Sequence, residues 1–219
     1  MMQKIKIIKP VFISGIGTGI GKTVVAAIVT EALNGIYWKP VQAGSSEETD
    51  SEWVQKILSN PARVAQESYK LKMPASPHLA ARKENLEISL DIIEAAYKEI
   101  TKTNNCPVII EGAGGLLAPL NDYEFSIDLA KKLKATMILV SCNYLGSINH
   151  SLMTAKICTA KKIPVAGWIF NKHYLHYEDE IAAWSGFDII AKIPEQKNIT
   201  NKFIREQANA LREKLISRL

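Results

Sequence analysis

Short apolar runs of strand length alternate with amphipathic stretches of helix length along the chain, and glycines, prolines and polar clusters mark the joins. VFISG at 11–15 reads as a first strand; a glycine-rich loop follows, then KTVVAAIVTEALNG, a helix stopped by Asn34-Gly35. YWKPV, ending at Val41, reads as the next strand, and the polar loop QAGSSEETD leads into a helix SEWVQKIL with Asp50 at its start. Residues 59–85 contain Pro61, Pro74 and Pro77 and show no regular pattern. SLDIIEAAYKEITK has Ser89 as an N-cap candidate, and PVIIEGAGG is a buried strand entering a glycine turn. FSIDLAKKLK, SINHSLMTAKICTAKK, YEDEIAAWSG and the tail from Thr200 read as helices, separated by the strands TMILVS, PVAGWIFN and FDIIAKIP. This alternation predicts an α/β chain with a mainly parallel sheet of about seven strands and helices on both faces. Ligands of such sheets bind at the carboxyl ends of strands, so candidate chemistry is sought just after each strand.

Composition narrows the picture. With 219 residues, 47% hydrophobic and 22% charged, the chain can bury a substantial core, and one domain over 1–219 is the simplest expectation. No apolar run approaches the ~18 residues of a membrane span, and lysines at 4, 6 and 9 interrupt any signal-peptide core, so a cytoplasmic protein with no membrane association is expected. The net charge of +5 comes from basic residues scattered through helices beside glutamates, a pattern of solvated faces that does not call for nucleic acid. Cys106, Cys142 and Cys158 are odd in number and lack a C-x-x-C pair, so they read as buried thiols. His173 and His176 could form half of a metal site, but no further Cys or His cluster would complete it.

GIGTGIGKT, Gly15 to Thr23, carries the strongest chemical signal. The dinucleotide pattern G-x-G-x-x-G fails in both registers, because Ile20 or Lys22 stands where the third glycine is needed. The P-loop pattern G-x-x-x-x-G-K-[ST] fits at Gly21-Lys22-Thr23, yet its first glycine would fall on Ile16, one residue beyond Gly15. The context still matches: the loop leaves a strand and enters a helix, so the backbone N–H groups of Gly19, Ile20 and Gly21 can face phosphate oxygens at a helix N-terminus. Lys22 would neutralise outer phosphates, and the Thr23 hydroxyl would stand where Mg²⁺ is held. Glu111, at the carboxyl end of PVIIE, is placed as a further metal ligand. Asp50 is either a second ligand or an N-cap, and Lys39, just before Pro40, either snorkels to the surface or points into the site. FNKHY lacks the acid of the guanine-reading N-K-x-D motif, since Tyr174 stands there, which disfavours a GTPase switch.

With these pieces placed, the chain resembles the dethiobiotin synthetase family of P-loop enzymes. GIGTGIGKT has that family's loop length, and KPVQAG, Asp50, SPH at 76–78, EGAGG at 111–115, LGSINH at 145–150, AGW with Asn171, and Ile193-Pro194 follow in the family's order. The resemblance implies a P-loop NTPase-like fold, a homodimer and an ATP- and Mg²⁺-dependent closure of a ureido ring on 7,8-diaminononanoate with CO₂ or bicarbonate as the carbon source. It implies that Lys39 holds the substrate carbamate, that Thr18 lies near the transferred phosphate, and that Thr23, Asp50 and Glu111 bind the metal. Gly112, Ala113 and Gly114 would border the nucleotide, Asn171 would read adenine, and Pro194, Glu195 and Gln196 would flank the base. Gly146, Ser147, Ile148 and Asn149, supplied by the partner subunit, would receive the substrate carboxylate.

Three departures stand out. Gly17 and Gly19 occupy loop positions where the family often has acidic residues, and Lys172 follows Asn171 where an acid often occurs. Ala43 takes the place of a substrate-touching Ser or Thr, with Ser45 and Ser46 nearby. Two competing readings fit less well. An amidoligase of the same group usually carries an additional glutaminase-like domain, and a partitioning-type switch ATPase usually has a lysine near the loop start, where this chain has Ile16.

Overall fold

Side-chain alternation along the first strand, β1 (Val11–Gly15), already divides the molecule: Val11 and Ile13 enter one hydrophobic cluster and Phe12 the other. The computed structural model describes residues 9–46, 48–171 and 175–219. From β1 the chain runs through α1 (Lys22–Leu33), β2 (Ile36–Trp38), β3 (Val41–Ala43), α2 (Asp50–Ile57), a 3-10 turn (Pro61–Arg63), β4 (Val64–Ala65), β5 (Tyr69–Leu71) and α3 (Pro77–Lys83). It continues through α4 (Leu90–Thr103), β6 (Val108–Glu111), α5 (Ser126–Lys132), β7 (Thr136–Cys142), α6 (Ser147–Ala160), β8 (Val165–Asn171), α7 (Glu178–Ser185), β9 (Ile189–Ile193) and α8 (Asn201–Ile216).

Seven strands form one sheet in the order β4-β2-β6-β1-β7-β8-β9, every pair parallel. One face is covered by α1, α2 and α8, which contribute Ile28, Val54 and Leu211 to the first cluster. The other is covered by α3 to α7, with Ala80, Ile93, Leu129, Ala155 and Ile181. Because all the strands point one way, Gly15, Glu111, Cys142, Asn171 and Ile193 end at a single edge. Among the described residues no helix is long and apolar enough to cross a membrane.

The expected strand YWKPV is two strands. Pro40 has no N–H to continue a ladder, and its carbonyl accepts from Ser68 and Tyr69, both at 2.9 Å. The chain therefore leaves the main sheet at Lys39, and β3 pairs with β5 in a separate two-stranded parallel sheet. The segment 59–85, irregular in sequence, contains the 3-10 turn, β4, β5 and α3. Helix α2 is capped by Thr49 rather than Asp50: its hydroxyl accepts from Glu52 N while the Glu52 carboxylate accepts from Thr49 N, a reciprocal capping box. Ser89 sits at the N-cap position of α4 without a side-chain cap bond. Cys142 and Cys158 are buried as expected, but Cys106 is exposed in the loop before β6. Lys172, His173 and Tyr174, which carry one histidine of the possible metal half-site and part of the truncated guanine motif, lie outside the described residues.

Candidate functional site

The loop between β1 and α1 turns into the helix at Gly21, whose φ of 86° lies in the left-handed region. A Cβ there would meet Asn171 Nδ2 at 2.5 Å, so the close approach of β8 also requires glycine. Asn171, nearly buried at the end of β8, donates from Nδ2 to the carbonyls of Ile20 (3.0 Å) and Gly21 (3.2 Å), fastening the loop to the sheet edge. Ile20 is buried in the first cluster, whereas Thr18 and Gly19 at the loop tip are exposed. The turn after β6 closes over this loop. A Cβ on Gly115 would lie 3.3 Å from Gly15 O and 3.7 Å from Gly17 Cα, and one on Gly114 would lie 4.0 Å from Thr18 Oγ1. Gly112 N donates to Ile13 O, which fixes where that turn starts.

Lys22 is buried and reaches back across the loop to Gly17 O at 2.6 Å. Burial pushes its ammonium down to about 8, an effect opposed by Glu111 and Asp50 and reinforced by Lys39. Next to it in the first turn of α1, Thr23 Oγ1 hydrogen-bonds Asp50 Oδ1 (3.1 Å) and Glu111 Oε1 (2.9 Å). Lys39, buried where β2 gives way to β3, contacts Asp50 Oδ2 and lies 3.2 Å from Glu111 Oε1. Thr49 rather than Asp50 caps α2, which leaves the Asp50 carboxylate to Thr23 and Lys39, and Lys39 is buried and turned inward instead of snorkelling to the surface. Burial alone would lower the Lys39 ammonium, but Glu111 and Asp50 outweigh it and hold it above the ordinary lysine value.

Thr23, Asp50 and Glu111 form an all-oxygen set suited to a hard cation, and the Lys39 ammonium already places a positive charge between the two carboxylates. The described residues hold no group of three or more His, Cys, Asp or Glu that could hold a metal. Two carboxylates and a hydroxyl beside a phosphate loop match the way Mg²⁺ binds, with phosphate oxygens and water as the remaining ligands.

Two participants were not singled out from the sequence: Tyr37, which belongs to no motif, and Gln42, which lies inside KPVQAG. Tyr37 OH donates to Glu111 Oε2 at 2.8 Å, and Gln42 Oε1 accepts from Asp50 N at 3.3 Å, orienting the start of α2. Burial and then Glu111 hold the Tyr37 phenol well above its usual range, so it remains a donor. The available signal was spacing: Tyr37 stands two residues before Lys39 on an extended segment, which puts both on one side. Ala43 ends β3, and the nearby Ser46 hydroxyl donates to Lys72 O at 3.3 Å.

Gly146 to Asn149 occupy the start of α6, with Gly146 at φ 101° and Ser147 buried. The Ser147 hydroxyl accepts from Tyr144 N (3.2 Å) and lies 2.8 Å from Tyr177 OH, which donates to Tyr144 O (2.9 Å). These bonds brace the turn while the first-turn N–H groups of Ile148 and Asn149 have no intrahelical acceptor. Pro194, Glu195 and Gln196 form an exposed stretch directly after β9, on the same carboxyl edge.

A family model described as an AAA domain, AAA_26, matches residues 9–202. Solved structures share the fold: a ParA family ATPase from Chlorobium tepidum (TM-score 0.56, 14% identity, 95% of this chain and 98% of that one) and the MinD cell division protein of Aquifex aeolicus (TM-score 0.56, 15% identity, 94% of each). Sequence relatives are more specific. The ATP-dependent dethiobiotin synthetase BioD of Cytophaga hutchinsonii is 43% identical over 91% of this chain and 95% of its own length. The enzyme of the same name from Christiangramia forsetii is 38% identical over 94% and 98%, respectively. Identity of this order over more than nine-tenths of the chain goes well beyond a shared fold, and the chain belongs to the ATP-dependent dethiobiotin synthetase family.

Proposed function

We propose that this chain converts 7,8-diaminononanoate, CO₂ and ATP to dethiobiotin, ADP and phosphate. The observation that carries the reading is the convergence of Thr23, Asp50, Glu111 and Lys39 behind the phosphate loop at one sheet edge. One substrate amine adds to CO₂ and loses a proton, giving a carbamate. A carbamate oxygen then takes the γ-phosphoryl group as the bond to ADP breaks, and the second amine attacks the carbonyl carbon and expels phosphate. Phosphoryl transfer needs alignment and charge neutralisation more than covalent help from the protein. Lys39 suits that role because its raised pKa keeps it cationic, so it can hold the anionic carbamate but is no general base. Lys22 and the loop amides bind the phosphates, Thr18 lies toward the transferred group, and Asn171 with Pro194 to Gln196 borders the base. Thr23, Asp50 and Glu111 would hold Mg²⁺, which when bound neutralises charge on the phosphate oxygens.

Gly146 to Asn149 of a second copy receive the substrate carboxylate at a helix N-terminus, making the working unit a homodimer. Leu145, 94% exposed beside that turn, and the half-exposed Met153 on α6 favour a covered face. Sedimentation at micromolar concentration tests this; a monomer that remains fully active would refute it. The chemistry is tested by mass spectrometry with ¹³C-bicarbonate, ATP, Mg²⁺ and the diamine. One labelled carbon in a cyclic urea product is expected, and an unlabelled or uncyclised diamine would overturn the reading. A switch ATPase of the partitioning type has only the fold likeness at 14–15% identity in its favour.

A further inference from the structure

Glu111 is one of the most enclosed carboxylates of the described chain, at 1% exposure, and its two oxygens have different surroundings. Oε1 faces Thr23 and Lys39, whereas Oε2 accepts from Tyr37 OH at 2.8 Å. The sheet imposes this division. Tyr37 on β2 is in register with Ile109 on β6, and Glu111, two residues on, projects from the same face as Ile109, so the phenol spans one step along the neighbouring strand. Tyr37 is itself fully buried in the first cluster, which fixes the ring and hence the hydroxyl.

We infer that Tyr37 is a positioning residue that restricts Glu111 to presenting a single oxygen to the cation site, and thereby favours Mg²⁺ over Ca²⁺. This inference rests on the assignment of Thr23, Asp50 and Glu111 as cation ligands. Mg²⁺ takes a strict octahedron of single oxygens at short range, while Ca²⁺ accepts six to eight oxygens and readily uses both oxygens of one carboxylate. A donor locked onto Oε2 blocks the two-oxygen mode and holds the remaining oxygen at a fixed angle. Without the phenol, Glu111 can rotate and offer both oxygens, which suits the larger ion.

The test is titration calorimetry of a non-hydrolysable ATP analogue with EDTA, Mg²⁺ or Ca²⁺, on the full chain and its Tyr37→Phe variant. The variant keeps the ring and its packing, and a thermal melt verifies that it is folded. The parent is expected to gain more affinity from Mg²⁺ than from Ca²⁺. In Tyr37→Phe, affinity in EDTA is expected to stay the same while the Mg²⁺ gain falls about tenfold, as is usual when a partner behind a metal ligand is lost. The Ca²⁺ gain should hold or rise. An unchanged Mg²⁺-to-Ca²⁺ ratio in the variant would overturn the inference and leave the cation site intact. Equal gains from the two ions in the parent would overturn it without any variant. A parent whose affinity ignores Mg²⁺ would overturn the cation assignment itself, and this inference with it.

Discussion

Removing Lys39 should destabilise the protein, and Mg²⁺ should offset much of the loss. Lys39 lies between Glu111, almost fully buried, and Asp50, whose side chain is 33% exposed. Lys39→Ala leaves two carboxylates facing each other with only Thr23 and Tyr37 as hydroxyl donors. Breaking a buried ion pair by deleting one partner costs about 3–5 kcal/mol. Solvent screens the Asp50 arm, so about 3 kcal/mol is the expected cost. For a chain of this size each kcal/mol moves Tm by about 2–4 °C, giving a drop of about 6–12 °C in EDTA. A divalent cation supplies the missing charge between the same oxygens, so Mg²⁺ should raise the variant's Tm more than the parent's, where the ammonium competes for the site. Differential scanning calorimetry of both proteins with EDTA and with Mg²⁺ measures this. A drop smaller than about 2 °C, or the same Mg²⁺ response in both proteins, would show that the carboxylates do not depend on Lys39.

Further outcomes follow from the same geometry. Lys22→Ala should weaken ATP binding, while Lys39→Ala should chiefly slow turnover; equal losses of ATP affinity by titration would refute that division. Lys22 sits at about 8 against an ordinary 10.5, so its buried charge costs the folded state about 3 kcal/mol below pH 8. The cost is relieved between pH 8 and 10.5, where the unfolded lysine still holds its proton and the folded one has lost it, so this group makes stability rise with pH there. ATP affinity should fall over the same rise above pH 8, and a flat profile from pH 7 to 9.5 would contradict a phosphate-binding Lys22. Gly21→Ala forces a Cβ to within 2.5 Å of Asn171 Nδ2 at a φ of 86°; chemical denaturation should register a loss of about 1–3 kcal/mol together with ATP binding.

The sheet was legible because its central strands are buried on both faces and separated by helices, so apolar runs such as TMILVS and PVAGWIFN stand out as strands. The phosphate loop was legible from Gly21-Lys22-Thr23 following a strand, despite its extra residue. What failed was local. YWKPV has the composition of a single strand, and only the pairing of β3 with β5 reveals that Pro40 ends the main ladder. Asp50 and Thr49 are both good caps, and the choice between them depended on Lys39 and Thr23, residues distant in sequence that claim the Asp50 carboxylate. Tyr37 drew no notice in the sequence: its ring is buried in the core, and the partner of its hydroxyl lies 74 residues away.

Whether this chain closes the ureido ring is decided by phosphate release measured with ATP, Mg²⁺, bicarbonate and 7,8-diaminononanoate, omitting each in turn. Release should need all four, with one phosphate freed per ring closed. Hydrolysis at the full rate without the diamine would contradict it and point to a nucleotide-switched ATPase on the same fold.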